Sequence, residues 1–236
     1  MAAESREFDG VLRKAERVAK FDSSLRFARM AWLKGEPIVL VADGPGPQLA
    51  GRAAEAVRKF KELRGLISTG FCGGLNPELE ACDIFVATEV VTLASARGSV
   101  RSVAHALSVP RSHSCERYKI GKLLSIDHVV SSVAEKADLR LTGADAVEME
   151  AAAVAAKATE WNIPFYCVRV VTDTAAESFS LDFNRMRDSN GRFSRTRILV
   201  SALLRPSSVL PELLKLNKRS KDASQALGDF LVDASF

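Results

Sequence analysis

Glu148-Met149-Glu150 stands between the apolar residues 142–147 and an alanine-rich stretch, and Asp173 closes an apolar run over 165–171. Two strand-to-helix junctions about twenty residues apart thus each present a carboxylate where parallel-sheet proteins build ligand sites, at the carboxyl ends of strands. One acid can hold a sugar while the other handles a proton. Taken singly, each has a plainer explanation. A carboxylate in a first helical turn complements the macrodipole, and an Asp after a strand caps or turns the chain.

The wider pattern adds to them. Ser68-Thr69-Gly70-Phe71-Cys72-Gly73-Gly74-Leu75, the strand-like Asp83-Ile84-Phe85-Val86-Ala87-Thr88-Glu89-Val90-Val91, then Ala146 to Ala151 and Val168 to Asp173 follow one another along the chain. Their order and spacing resemble the nucleoside phosphorylase and nucleosidase superfamily. Within it the chain is similar to the purine nucleosidases acting on methylthioadenosine and S-adenosylhomocysteine, and to the hopanoid-associated phosphorylase-like proteins. The resemblance runs from the N-terminus to near Ser180.

Cleaving a purine N-glycosidic bond builds positive charge on the ribose and negative charge on the departing base. An enzyme must protonate the base, support the sugar cation and deliver a nucleophile to the anomeric carbon. The resemblance implies that Asp173 donates a proton to the purine, which needs a carboxyl group whose proton affinity is raised by desolvation. It implies that Glu150 accepts hydrogen bonds from the ribose hydroxyls and that Met149 packs on the sugar, with Glu148 beside them. Glu4 matches the base that activates water, in Met1-Ala2-Ala3-Glu4, which resembles the family's Met-x-x-Glu loop without the apolar strand that precedes it. Either the chain begins late or another segment fills that slot. Phe71, Cys72 and Gly73 form the glycine-rich bend, and Asp127 and Val129 belong to a loop beside the base.

Two positions depart from the methylthioadenosine enzymes, which carry serine where Phe71 stands and a stacking aromatic at Val129. Both departures suit a larger apolar 5′ group. Ser68 stands where purine phosphorylases place arginine, so water is favoured over phosphate. Gly44 and Gly46 could offer amides to an anion, although a turn explains them as well. Arg169, inside a strand, reads as an ion-pair partner of a neighbouring acid, and His128 as a loop histidine.

These residues need a scaffold, and 236 residues with 47% apolar content can bury a substantial core. A single α/β domain over 1–236 is expected, with a mostly parallel twisted central sheet, helices on both faces and a basic helical segment over 181–236. Apolar flanks around Lys34-Gly35 predict a strand, a turn and a strand over 25–42, and Leu49, Ala53, Ala56, Phe60 and Leu63 predict a one-faced helix. A further strand is expected over 122–130, and Pro206 and Pro211 mark helix breaks.

Composition narrows the function classes. No run approaches a membrane span, and the first residues lack a signal peptide's basic start and apolar centre, so a cytoplasmic protein is expected. Cys72, Cys82, Cys115 and Cys167 form no CxxC pair, and His105, His113 and His128 add no metal-ligand spacing, so free thiols, no metal and no cofactor are expected.

The net charge of +4 is uneven: ten basic residues against three acidic ones lie between Leu181 and Lys221. Only Phe183 and Phe193 lie among them, too few for the stacking platform of a single-strand nucleic-acid binder, so nucleic acid is not an expected partner. A solvated helical face explains the charge, and weak attraction to an anionic membrane surface is the alternative. A dinucleotide-binding fold lacks its GxGxxG signature here.

The function so inferred is a purine, adenine-type nucleosidase acting on a 5′-substituted adenosine, its partner a small nucleoside and its assembly a homodimer by resemblance. A phosphate-dependent phosphorylase of the same superfamily is the nearest alternative. A non-catalytic nucleoside-binding scaffold with an incomplete N-terminus is another.

Overall fold

The computed structural model describes residues 1–60, 63–94, 99–105, 107–111, 118–188, 191–193 and 206–236, with side chains from residue 210 in the last segment. His113 and Cys115 lie outside them. Arg17–Lys20 (β1), Phe27–Leu33 (β2) and Glu36–Ala42 (β3) form an antiparallel ribbon. Its Lys34-Gly35 turn has positive φ at both residues, 49° and 77°, the twist that a two-residue hairpin requires.

The larger sheet holds Leu66–Gly74 (β4), Ile84–Leu93 (β5), Val100–Ala104 (β6), Lys119–Ser125 (β7), Ala146–Glu148 (β8) and Phe165–Asp173 (β9), in the order β6-β5-β7-β8-β4-β9. β9 also pairs with β5, so β5, β7, β8, β4 and β9 close into a ring. Parallel pairings β4–β9, β5–β7 and β7–β8 stand beside antiparallel β4–β8, β5–β6 and β5–β9. The sheet is mixed, where the alternation of elements implied a mostly parallel one. The three residues of β8 run against β4, β6 returns along β5, and β9 curls round to β5. Closure of this kind leaves fewer backbone groups unpaired.

The helices are Asp9–Lys14 (α1), Pro47–Val57 (α2), Val133–Arg140 (α3), Ala151–Trp161 (α4) and Pro206–Asp233 (α5), and Ser5–Phe8 forms a 3-10 turn. Small residues let α2 and α4 pack together, with Ala50, Ala53 and Val57 sharing one core with Val154 and Ala158. Phe60 and Leu63 pack on that core from beyond the end of α2. α5 covers β9 with Ala223, Leu227 and Phe230 against Ile84, Val86, Val168 and Val170. Where breaks were expected, Pro206 opens α5, a position where its missing N–H costs little, and Pro211 is carried inside the helix. The strand expected over 122–130 ends at Ser125, and residues 126–130 form a loop.

Met1-Ala2 occupies the slot between β3 and β4. The Met1 amine donates to the Ile67 carbonyl at 2.7 Å, Thr69 N–H to the Met1 carbonyl at 2.8 Å, and Ala2 pairs in parallel with Ala42. That pairing leads directly into the turn bearing Glu4 and Glu7. Among the described residues no helix is long and apolar enough to cross a membrane, and Cys72, Cys82 and Cys167 are free thiols.

Candidate active site

Register brings the two acidic junctions together. Gly73 of β4 pairs with Val147 on one side and Asp173 on the other, so the ends of β8 and β9 flank the glycine-rich end of β4. A Cβ at Gly73 would lie 3.0 Å from Asp173 Oδ2, which is the room that glycine leaves for the carboxylate.

Arg169 sits at the centre of the acids and is fully buried. Its guanidinium donates to Glu148, to Ser68 Oγ at 2.7 Å and to the Thr69 carbonyl at 2.9 Å. Glu148 also accepts the Glu150 and Ala151 N–H groups, at 2.8 and 2.9 Å from Oε2. Both junction roles therefore fall to Glu148: it caps α4 and neutralises Arg169, and its oxygens are engaged with protein rather than turned to a ligand.

Glu150 is different. Its Oε1 accepts the Gly46 N–H at 2.8 Å, and its Oε2 lies 3.6 Å from Arg169 Nη1, beyond hydrogen-bond length. Burial, then the neighbouring Glu148 charge, pushes Glu150 up to about 8 against the pull of Arg169. A third acid joins them. Glu7 is buried, with Oε1 accepting the Phe71 N–H at 2.8 Å and Oε2 the Glu4 N–H at 2.7 Å. Burial raises Glu7 above the ordinary carboxylate range, and Arg169 opposes the rise. Gly70, at φ 127°, makes this approach possible, because a Cβ there would collide with the Glu7 carboxylate.

Asp173 ends β9, the strand that also carries Arg169. Its Oδ1 accepts the Thr172 hydroxyl at 3.0 Å and its Oδ2 accepts Lys136 Nζ at 2.6 Å. Burial raises Asp173 and Lys136 pulls it back, with a net shift upward.

The mouth is made by loops. Arg187 donates to the carbonyls of Asp127 at 2.8 Å and Gly191 at 2.9 Å, and reaches towards Pro45, while Asn184 pairs with both backbone groups of Val129. Met149 is buried against the Gly46 loop. A cavity of about 660 Å³ beside these loops is lined by Gln48, Leu49, Arg52, Asn184, Arg187, Asp188 and Gly191, with Glu7, Glu150 and Asp173 outside its lining.

Several expected residues stand elsewhere. Glu4 is half-buried at the start of the 3-10 turn, and Glu7, one turn on, takes the buried place beside Arg169. The Phe71 ring packs into the α5 cluster on the opposite face of β4, so only its N–H reaches the site. Cys72 is core, packed with Phe85, Val90, Leu123 and Val171, its thiol pushed well up by burial. Asp127 is 83% exposed in its side chain and pairs with His128 at 3.1 Å, which holds its carboxyl below the usual range. The Gly46 amide serves Glu150 rather than an external anion. Glu7, Lys136, Asn184 and Arg187 were not singled out in the sequence. For Glu7 the signal was available: Glu4-x-x-Glu7 places a second carboxylate one helical turn after Glu4, a second candidate for the same role.

Comparison with known proteins agrees with the fold. An aminodeoxyfutalosine nucleosidase of Campylobacter jejuni is 25% identical over 84% of this chain and 95% of its own length. A 5′-methylthioadenosine/S-adenosylhomocysteine nucleosidase of Baumannia cicadellinicola is 29% identical over 61% of this chain and 71% of its own. The solved Campylobacter jejuni enzyme of the latter name shares the fold at a TM-score of 0.69, with 19% identity over 98% of this chain and 94% of its own. Residues 3–204, which include every carboxylate gathered around Arg169 and β4, match the pattern of one family, and the chain belongs to the phosphorylase superfamily.

Proposed function

We propose that this protein is an adenine-type nucleosidase that hydrolyses the N-glycosidic bond of a 5′-substituted adenosine. Asp173 protonates the leaving purine, Glu150 accepts the ribose hydroxyls, Met149 packs on the sugar and Glu7 activates water. The observation that carries this assignment is the pair Glu7 and Glu150, two buried carboxylates with raised proton affinity flanking one guanidinium. Such a pair can supply a base for water and a carboxyl group that accepts the ribose hydroxyls. Glu7 replaces Glu4 in the water-activating role because it is the buried one.

Water is favoured over phosphate for a physical reason. A phosphate needs unclaimed cations or amides, and here Arg169 is bonded to Glu148 while the Gly46 amide is bonded to Glu150. The relatives in hand are named as nucleosidases, and they differ in the 5′ group of the nucleoside. Phe71 turns away from the acids, and the neighbouring cavity, taken as the pocket for the 5′ group, presents Gln48, Asn184, Arg187 and Asp188, which suits a polar substituent better than an alkyl chain.

Methylthioadenosine, S-adenosylhomocysteine, aminodeoxyfutalosine and a 5′-alkyl adenosine series should be incubated with the protein, with and without phosphate, and the products chromatographed. Adenine and free sugar without phosphate dependence are expected. A phosphorylated sugar would make it a phosphorylase, and no cleavage of any nucleoside would leave a binding protein. The proposal includes a homodimer, which light scattering measures.

A further inference from the structure

Lys136 is only 1% exposed, an unusual place for a lysine, and it is the buried residue of the otherwise solvated α3. Its Nζ donates to Asp173 Oδ2 at 2.6 Å, to the Thr174 carbonyl at 2.7 Å and to the Glu177 carbonyl at 3.0 Å. Three acceptors need three N–H donors, which an ammonium has and a neutral amine does not. The charge therefore sits in the interior, compensated by Asp173, with the Phe179 ring 5.7 Å away. A buried pair of this kind is weak evidence for stability, because desolvation offsets much of the attraction.

We propose that Lys136 is a positioning residue for Asp173: its ammonium fixes Oδ2 and sets the pH range over which the carboxyl can give up its proton. Oδ1, which Lys136 does not bind, is held by the Thr172 hydroxyl. The inference rests on the assignment of Asp173 as the acid for the leaving purine. The other groups around Asp173 hold their charge near neutrality. Glu177, in the turn after β9, is held down at about 2 by Arg219 and Lys215 of α5, and the buried Cys72 thiol of β4 stays protonated. Arg219 remains a cation, its proton affinity raised by Glu177. Lys136 is thus the charged side chain bonded directly to Asp173, and the charge that acts on it most strongly.

A nearby cation favours the ionised carboxylate, so removing it lets Asp173 keep its proton to higher pH. Since the protonated form is the active acid, the alkaline limb of kcat should move upward in Lys136→Met, by about one pH unit or more. Lys136→Arg, which keeps the charge, should retain the wild-type limb. A lysine that merely holds α3 in place would lower stability or turnover in Lys136→Met and leave the limb where it is, which would overturn the proposal. Lys136→Gln, with a neutral donor, carries the same test if the methionine variant does not fold.

The carboxyl carbon of Asp173, followed by ¹³C NMR in the full chain and identified by its loss in Asp173→Asn, gives a readout without turnover. A higher midpoint in the neutral variants is expected, and an unchanged midpoint overturns the role of Lys136. A shifted midpoint in a protein that cleaves no nucleoside would instead overturn the nucleosidase assignment alone.

Discussion

At Arg169 three carboxylates surround one guanidinium, and the geometry ranks them: Glu148 is bonded to it, while Glu150 and Glu7 feel its charge. Asp173→Asn should lower kcat by about a hundredfold to ten-thousandfold, the usual scale of general acid catalysis. It should also destabilise the fold by on the order of 3 kcal/mol, because Lys136 loses its counter-charge in the interior. Turnover above half of wild type, measured on the best nucleoside, would exclude the acid role. Glu7→Gln should be severely impaired and Glu4→Ala nearly active, and the reverse ranking would return the water-activating role to Glu4. Glu150→Gln should hurt ribonucleosides more than 2′-deoxyribonucleosides. The same variant tests linkage. Between the unfolded value of 4.5 and about 8 the fold holds a proton on Glu150 that the unfolded chain has released, so this group's contribution to stability falls as pH rises. Denaturant titrations should therefore show wild type losing stability relative to Glu150→Gln across that window and no further loss above it.

Elements act on the site through close contacts. α1 and α5 meet backbone to backbone, and a Cβ at Gly228 would lie 2.6 Å from Gly10 Cα. The Ser224 hydroxyl of α5 bonds the Gly10 N–H at 3.0 Å and the Glu7 carbonyl at 3.4 Å, so this crossing also supports the turn that carries Glu7. Gly228→Ala should force the helices apart, with a stability loss of roughly 1–3 kcal/mol as for other overpacked contacts. Turnover should fall with it, since Glu7 would shift against Phe71. A variant as stable and active as wild type in urea titration and assay would show that the crossing has slack.

Across the whole molecule, the positive charge expected to lie on one helical face is partly consumed within the fold. Lys215 and Arg219 bind Glu177, whereas Lys218 and Lys221 remain exposed. Leu210 and Leu214 are exposed on the same helix, at 50% and 63%. Two leucines and two lysines give at most weak, salt-sensitive adhesion to an anionic surface. Cosedimentation with anionic liposomes should be detectable at low salt and lost at physiological salt. Absence of binding at low salt would leave α5 as a solvated face.

Local pattern determined much of this protein. Apolar runs marked β5 and β9, the Lys34-Gly35 turn marked the β2–β3 hairpin, and the motifs around Glu148, Glu150 and Asp173 marked the sheet ends where buried carboxylates gather. Arg169 was legible as an ion-pair partner because a charge inside an apolar strand must find one. Other features depended on contacts between distant residues. Whether Glu4 or Glu7 turns inward is decided by Phe71, 64 residues beyond Glu7, and Lys136 is buried because Asp173 meets it from 37 residues away. Phe71 faces α5 because β4 continues as a strand through its glycines, which sends alternate side chains to opposite faces. The closure of the mixed sheet through β5–β9 has no local signature either. Periodicity reports how one segment is buried, whereas the partner that compensates a buried charge or completes a strand edge is supplied only when the chain folds back on itself.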